Sequence, residues 1–256
     1  MNTSTVKLDA ASVRVLDQLG TSRTTLESTT LDLPQRRIAL VGSNGQGKTT
    51  LLRAIAGLQD LAEGSISVDG HDVATELSAV RSTLGFLFAD PSAQLIMPTV
   101  TEDIQLSLRR LGLKRRRRQE RATELLAEAG LGHLSERSVH ALSGGERQLV
   151  ALTGLLAVDP SVILADEPTS ALDLVNRAQV VTELMNVPAR LIVATHDLEL
   201  ARACDRVIWV HAGQVVGDGE PGEIVDAYVS AAQGRTPWPG TTPPTHLART
   251  LPEDRA

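Results

Sequence analysis

One segment restricts this chain more than any other. Arg37-Ile38-Ala39-Leu40-Val41 is a short apolar run of strand type, and Gly42-Ser43-Asn44-Gly45-Gln46-Gly47-Lys48-Thr49 follows it. Thr50 to Ala56 then has helical spacing and stops at Gly57. The spacing G-x-x-x-x-G-K-[ST] between a strand and a helix is that of a phosphate-binding loop. The glycines let the backbone turn its N–H groups inward, at the positive end of the helix. Lys48 is placed to reach the outer phosphates and Thr49 to offer its hydroxyl to Mg²⁺. Such a loop needs a parallel α/β sheet behind it. A glycine turn before a helix with an incidental lysine is the bland alternative.

The remaining pattern agrees with that sheet. Residues 6–33 read as two or three short strands, from Val6/Leu8, Val13/Val15 and Leu26/Leu31/Leu33. Gly64–Gly70 and Leu84–Phe88 read as further strands. Strand signals vanish over 89–157, where helices are expected at 100–111, 114–129 and 144–157. Strand and helix alternate again from Ser161 to Val210. The expectation is a mostly parallel α/β core with a helical insertion at 89–157. Residues 234–256, with Pro237, Pro239, Pro243 and Pro244, read as a flexible tail.

Composition narrows the partners. Net charge is −6, so no general nucleic-acid surface is implied. A lone cysteine, Cys204, permits no internal disulfide and suggests a reduced compartment. No apolar run approaches the ~20 residues of a membrane span, so a tie to a membrane is expected to come through a partner. Lys114-Arg115-Arg116-Arg117-Arg118 precedes Glu120, Glu124 and Glu128 at helical spacing. It reads either as a solvated helix face or as a patch for anionic lipid headgroups.

Three further segments carry chemistry. Val162–Ala165 is an apolar strand ending in Asp166-Glu167-Pro168. A strand end beside the loop suits Asp166 for holding Mg²⁺ and Glu167 for orienting or deprotonating an attacking water. Arg190–Thr195 repeats the pattern and ends in His196-Asp197, with His196 in reach of a terminal phosphate and Asp197 as a helix cap. Ser143-Gly144-Gly145-Glu146 is a capping box, and a serine with two glycines opening a helix also forms a second anion site.

At this point the chain resembles the ATP-binding cassette of an ABC transporter over about residues 4–233. The resemblance rests on the loop at 42–49, the family's signature segment Leu142-Ser143-Gly144-Gly145-Glu146, Asp166-Glu167, Ser170-Ala171-Leu172-Asp173 and His196. It implies ATP and Mg²⁺ as ligands and an α/β P-loop NTPase fold of the RecA-like class, with a nucleotide-binding core over about 4–88 and 158–233, an antiparallel β subdomain and an inserted helical subdomain over about 89–157. It also implies two cassettes packed head to tail, a homodimer. Ser143, Gly144 and Gly145 of one copy, with Asp173, then complete the nucleotide site at Gly42–Thr50 of the other. Lys48, Glu167 and His196 are the expected catalytic groups, and Thr49 and Asp166 the metal ligands.

Two departures stand out. Ala89 occupies the place of a glutamine that the family usually carries, with Asp90 or Gln94 as nearby substitutes. No aromatic precedes Phe86, so the ring that usually stacks on adenine is missing, leaving Val13, Val15 or Leu16 to supply an apolar surface. Weaker nucleotide affinity and poor base selectivity are expected.

Gln94–Asp103 resembles the energy-coupling factor ATPases of vitamin and metal-ion uptake. Ala89, Leu95-Ile96-Met97 and Asp205–Val210 are most similar to the biotin-type branch. That resemblance implies a peripheral protein on the cytoplasmic face of the membrane. Leu95, Ile96, Met97 and Val100 would form the apolar floor for helices of a transmembrane coupling protein, and a separate membrane subunit would bind the nutrient. A cobalt- or nickel-type importer and a slowly hydrolysing regulatory subunit are the alternatives.

Overall fold

The computed structural model describes residues 5–16, 20–170 and 172–239. In chain order, β1 (Val6–Leu16) and β2 (Ser22–Leu33) form an antiparallel pair, and β3 (Arg37–Val41) leads through the glycine loop to α1 (Lys48–Ile55). β4 (Glu63–Val68) and β5 (His71–Asp72) follow, then α2 (Leu77–Thr83) and β6 (Leu84–Leu87). Three helices come next: α3 (Val100–Ser107), α4 (Arg115–Glu128) and α5 (Gly144–Leu156). The last part alternates: β7 (Val162–Asp166), α6 (Leu174–Asn186), β8 (Arg190–Ala194), α7 (Leu198–Arg202), β9 (Arg206–His211), β10 (Gln214–Gly219) and α8 (Pro221–Ala232).

The strands make two sheets, one ordered β2-β1-β4-β5 and one ordered β10-β9-β3-β8-β7-β6. In the larger sheet β9, β3, β8, β7 and β6 are parallel, and β10 joins antiparallel at the edge. Every residue of β3, β7 and β8 is buried, which explains their continuous apolar runs: both faces are covered. Alternate residues of β3 go to opposite sides. Ile38 and Leu40 join a core with the antiparallel sheet and α1, while Ala39 and Val41 join a core with α5, α6 and the helical insertion. This is the α/β P-loop architecture with an antiparallel β subdomain and an inserted helical subdomain.

Local outcomes follow local chemistry. The two strands of 6–33 are long rather than two or three short ones, because register shifts after Leu8, Ala11 and Val13 bend them without breaking the pairing. The helix expected over 100–111 ends at Ser107, and a 3-10 turn carries the chain to Gly112 at φ 66°. The basic run opens α4 and is partly paired along its own helix. Arg116 meets Glu120 at 2.9 Å and Arg117 meets Glu124 at 2.8 Å, while Arg121, beyond the run, meets Glu128 at 3.0 Å. These exposed pairs suit a solvated helix face. At the other end, Trp238 stacks on His211 at 4.8 Å and meets Trp209 edge-on at 5.8 Å, so core packing extends past residue 233. The rest of the proposed tail, 240–256, lies outside the described residues.

Candidate nucleotide site

β3 sits between β8 and β9, so the glycine loop emerges at the middle of the sheet. Its sharp turn needs glycine at two points in particular. Gly42 has φ 147°, and a Cβ there would stand 2.1 Å from the Val210 carbonyl oxygen; Gly47 has φ 111°, with Thr25 O at 2.8 Å. Gln46 ties the loop to the β9–β10 turn, accepting from Gly213 N at 2.9 Å through its carbonyl and from Ala212 N at 2.5 Å through its side chain.

Lys48 begins α1 and is 5% exposed. Its ammonium donates to Gly42 O at 2.6 Å and Ser43 O at 3.2 Å, and Glu167 Oε1 lies 3.7 Å away. Burial pushes its pKa below the usual lysine value, and Glu167 and Asp166 oppose that shift. Thr49 Oγ1 donates to Asp166 Oδ1 at 2.8 Å. Two oxygens so placed suit a hard divalent cation that keeps most of its waters, and Mg²⁺ fits this donor set. Asn44, Gly45, Gln46, Gly47, Thr49 and Thr50 face one cavity of about 380 Å³.

The acidic pair and the histidine arrive from the two strands beyond β3. Glu167 follows β7 and is bonded across to β8, its N–H donating to Ala194 O at 2.9 Å. Its φ is 47°, in the left-handed region that a glutamate rarely adopts. His196 follows β8, and its N–H donates to Glu167 Oε2 at 3.2 Å. His196 Nε2 lies 2.6 Å from Asn44 Oδ1 and 3.1 Å from Glu167 Oε1. Glu167 Oε1 is buried and receives no well-aligned hydrogen bond, so it keeps capacity to accept a proton-bearing group. Strand order thus gathers Lys48, Thr49, Asp166, Glu167 and His196 within a few ångströms.

The signature residues are elsewhere. Ser143 caps α5, its Oγ accepting from Glu146 N at 3.2 Å while Glu146 Oε2 accepts from Ser143 N at 2.7 Å. Ser143 and Gly144 are exposed, and Gly145 is buried against Asn176, whose side chain stands 2.4 Å from where a Cβ would be. Asp173 caps α6 by accepting from Val175 N and Asn176 N. None of these residues lines the cavity around the loop. One copy of the chain therefore brings together half of the expected set and leaves the other half on a different surface.

Two expectations need correction. Val13, Val15 and Leu16 do not line the cavity; Val13 is fully buried in the core, and Arg23, Thr24 and Thr25 of β2 face the cavity instead. Near Ala89 the polar side chains are engaged locally: Asp90 accepts from Ser92 N at 2.9 Å, and Gln94 Oε1 accepts from Phe88 N at 3.4 Å. The apolar floor is also smaller than expected. Leu95 and Val100 are buried in the core, and only Ile96, 70% exposed, and half-buried Met97 are presented.

Sequence reading missed Arg147 altogether. It donates to Ser92 Oγ at 2.9 Å and to Leu142 O at 3.1 Å, joining the loop after β6 to the start of the signature segment. Its only signal was its position one turn into α5, which a solvent-facing arginine shares. Arg177, bidentate to Asp197, was missed for the same reason.

Known proteins match this architecture. A family model for ABC transporters matches residues 26–170. The biotin transport ATP-binding protein BioM of Rhizobium etli is 41% identical over 207 residues, 81% of this chain and 92% of its own length. BioM of Rhodobacter capsulatus is 38% identical over 204 residues, 80% of this chain and 87% of its own length. Among solved structures, cbiO1 from Clostridium perfringens, part of the transporter complex cbiONQ, superposes with TM-score 0.72 at 26% identity, covering 90% of this chain and 94% of that one. A dimeric post-hydrolysis ATP-binding cassette, MJ0796, bound to ADP and Pi, gives 0.76 at 27% identity, covering 84% and 98%. With the loop, the acidic strand end and the capped signature helix in these positions, the chain belongs to the ABC transporter family and is its ATP-hydrolysing cassette.

Proposed function

We infer that this ATPase powers an energy-coupling factor importer for a small vitamin, biotin. The observation that carries this reading is the likeness to two biotin transport ATP-binding proteins along four-fifths of the chain. The Gln94–Asp103 segment supports it: Asp103, buried, accepts from Ile96 N at 2.9 Å and Met97 N at 3.0 Å and so presents Ile96 to the outside. In this reading Ile96 and Met97 meet a helix of a transmembrane coupling protein, and a separate membrane subunit binds the vitamin. The cassette sits peripherally on the cytoplasmic face of the membrane. Among the described residues no helix is long and apolar enough to cross a membrane.

The chemistry follows from the residues. The loop N–H groups from Gly42 to Thr50 and Lys48 hold the phosphates. Thr49 and Asp166 would hold Mg²⁺, which when bound neutralises charge on the β- and γ-phosphates. Glu167 Oε1 accepts the proton of the attacking water, and His196, with Nε2 3.1 Å from that oxygen, hydrogen-bonds the terminal phosphate beside it. Ser143, Gly144 and Gly145 of a second copy cover that phosphate with a helix N-terminus, and Asp173 lies along the same contact. Exposed Leu174 (81%) and Val175 (77%) beside Asp173 suit a face that a second copy covers.

The likeness to cbiO1, part of the transporter complex cbiONQ, leaves a sibling importer with the same cassette chemistry as a second reading, and the energy-coupling factor resemblance of Gln94–Asp103 makes that sibling a cobalt- or nickel-type importer. Ala89 favours another, a slowly hydrolysing regulatory cassette, because alanine cannot ligate a metal or a water. One experiment sorts these. The tagged protein is recovered from detergent-solubilised membranes, its integral partners are identified, and the complex is tested for biotin binding and ATP turnover. Biotin in the complex is expected. Bound nickel or cobalt selects the sibling importer, negligible turnover selects the regulator, and recovery only as a soluble single protein sinks the importer reading.

A further inference from the structure

The cavity over the glycine loop has one wall that the chemistry above does not use. Arg23, Thr24 and Thr25, at the start of β2, line it beside the loop residues. β2 is anchored close to the loop: Thr25 O approaches Gly47, and Glu27 N donates to Gly213 O at 2.8 Å. A strand advances about 3.3 Å per residue. Arg23 therefore stands about 7 Å farther along the strand than Thr25, on the side away from the phosphates. A nucleotide whose phosphates lie against the loop reaches this wall with its base if it lies along the cavity.

The local backbone explains why an arginine is found there. Ladder register jumps from Val13↔Leu26 to Arg14↔Thr24, so Thr25 is an extra residue on β2. A bulge of this kind bends the strand and re-aims its side chains. Beyond it Arg23 pairs with Val15 and Arg14 with Thr24. Arg14 is paired with Glu63 at 3.4 Å. Among the described residues, no carboxylate lies within ion-pair distance of Arg23, which is exposed at the cavity edge.

We propose that Arg23 is the base platform of this ATPase: its planar guanidinium stacks on the purine ring of the bound nucleotide, where an aromatic side chain is missing. The guanidinium is flat, delocalised and weakly hydrated, and stacks on π-faces as a charged plane. A stacked cation reads the face of a purine and not its edge, so adenine and guanine are held alike. The proposal rests on the nucleotide reading of the cavity and adds the residue that receives the base.

The test is isothermal titration of the full chain with MgATP, MgGTP and inorganic triphosphate. Arg23→Ala is expected to weaken ATP and GTP by about three- to thirty-fold and to leave inorganic triphosphate within about twofold. Arg23→Tyr, which keeps the plane and drops the charge, is expected to recover ATP affinity. Arg23→Lys, which keeps the charge and drops the plane, is expected to stay weakened. Equal losses for ATP and triphosphate, full recovery with lysine but none with tyrosine, or unchanged ATP affinity in Arg23→Ala would each overturn the proposal. Wild-type protein that fails to bind ATP would overturn the nucleotide reading itself.

Discussion

Glu167 shows how much rests on single side chains here. Its backbone is held at φ 47°, and one carboxylate oxygen is buried without an aligned donor. Both features are costly, of order 1–3 kcal/mol for the backbone alone, and both aim the carboxylate at the place where Lys48, Thr49 and His196 converge. Glu167→Gln is expected to keep ATP binding and to lower turnover by roughly 10²–10⁴-fold; near-normal turnover in a phosphate-release assay would remove Glu167 from that role. Gly42 is limiting in another way. Gly42→Ala drives a methyl into the Val210 carbonyl at a φ that alanine avoids, so loss of nucleotide binding with about 2 kcal/mol or more of lost stability is expected by titration and denaturant unfolding.

At the scale of elements, capping and pinning position the functional segments. The boxes at Thr99/Glu102 and Ser143/Glu146 begin α3 and α5. Asp103 pins the backbone of Ile96 and Met97 from inside the core, and burial raises its carboxyl pKa despite those two donors. A raised folded-state pKa means that the charged form costs stability at neutral pH. Asp103→Asn, which keeps an acceptor without the charge, is expected to be at least as stable as wild type at pH 7. Asp103→Ala strands two N–H groups and is expected to lose about 2 kcal/mol. Asp197 has the opposite sign. Burial pushes its pKa up, but the bidentate bond from Arg177, with its N–H donors, outweighs this and holds it low. A lowered folded-state pKa gives stability that is present above the ordinary aspartate value of about 3.9 and is lost as pH falls through the folded one. Arg177→Ala is therefore expected to lose about 1 kcal/mol near pH 7 and to flatten the acid side of the stability–pH curve, measured by urea unfolding at several pH values.

At the scale of the whole molecule, the glycine loop and the Ser143–Gly145 helix start lie on separate surfaces of one chain. The cavity at the loop contains neither Ser143, Gly144 nor Gly145, and the exposed pair Leu174 and Val175 flanks Asp173. The Glu167→Gln protein is expected to shift from monomer to dimer on adding ATP, followed by light scattering. Adding Val175→Lys is expected to weaken that dimer by about tenfold or more, since it places a charge in an apolar contact. A dimer indifferent to this change would move the contact elsewhere.

Much of this was legible from residue order. The loop could be read because its glycines, lysine and threonine act through local backbone geometry, and Asp166, Glu167 and His196 because each ends a buried apolar run. The helical insertion could be read because period 3.6 is a local property. Contacts between distant segments could not. The strand order that sets β8 beside β3 and β7 beside β8, the Arg147 bridge to Ser92, the burial of Leu95 and Val100, and the register jump that puts a bulge next to Arg23 all join residues far apart in the chain. Burial and ladder register are collective quantities, settled when both faces of the sheet are covered at once, and no short window of sequence contains them.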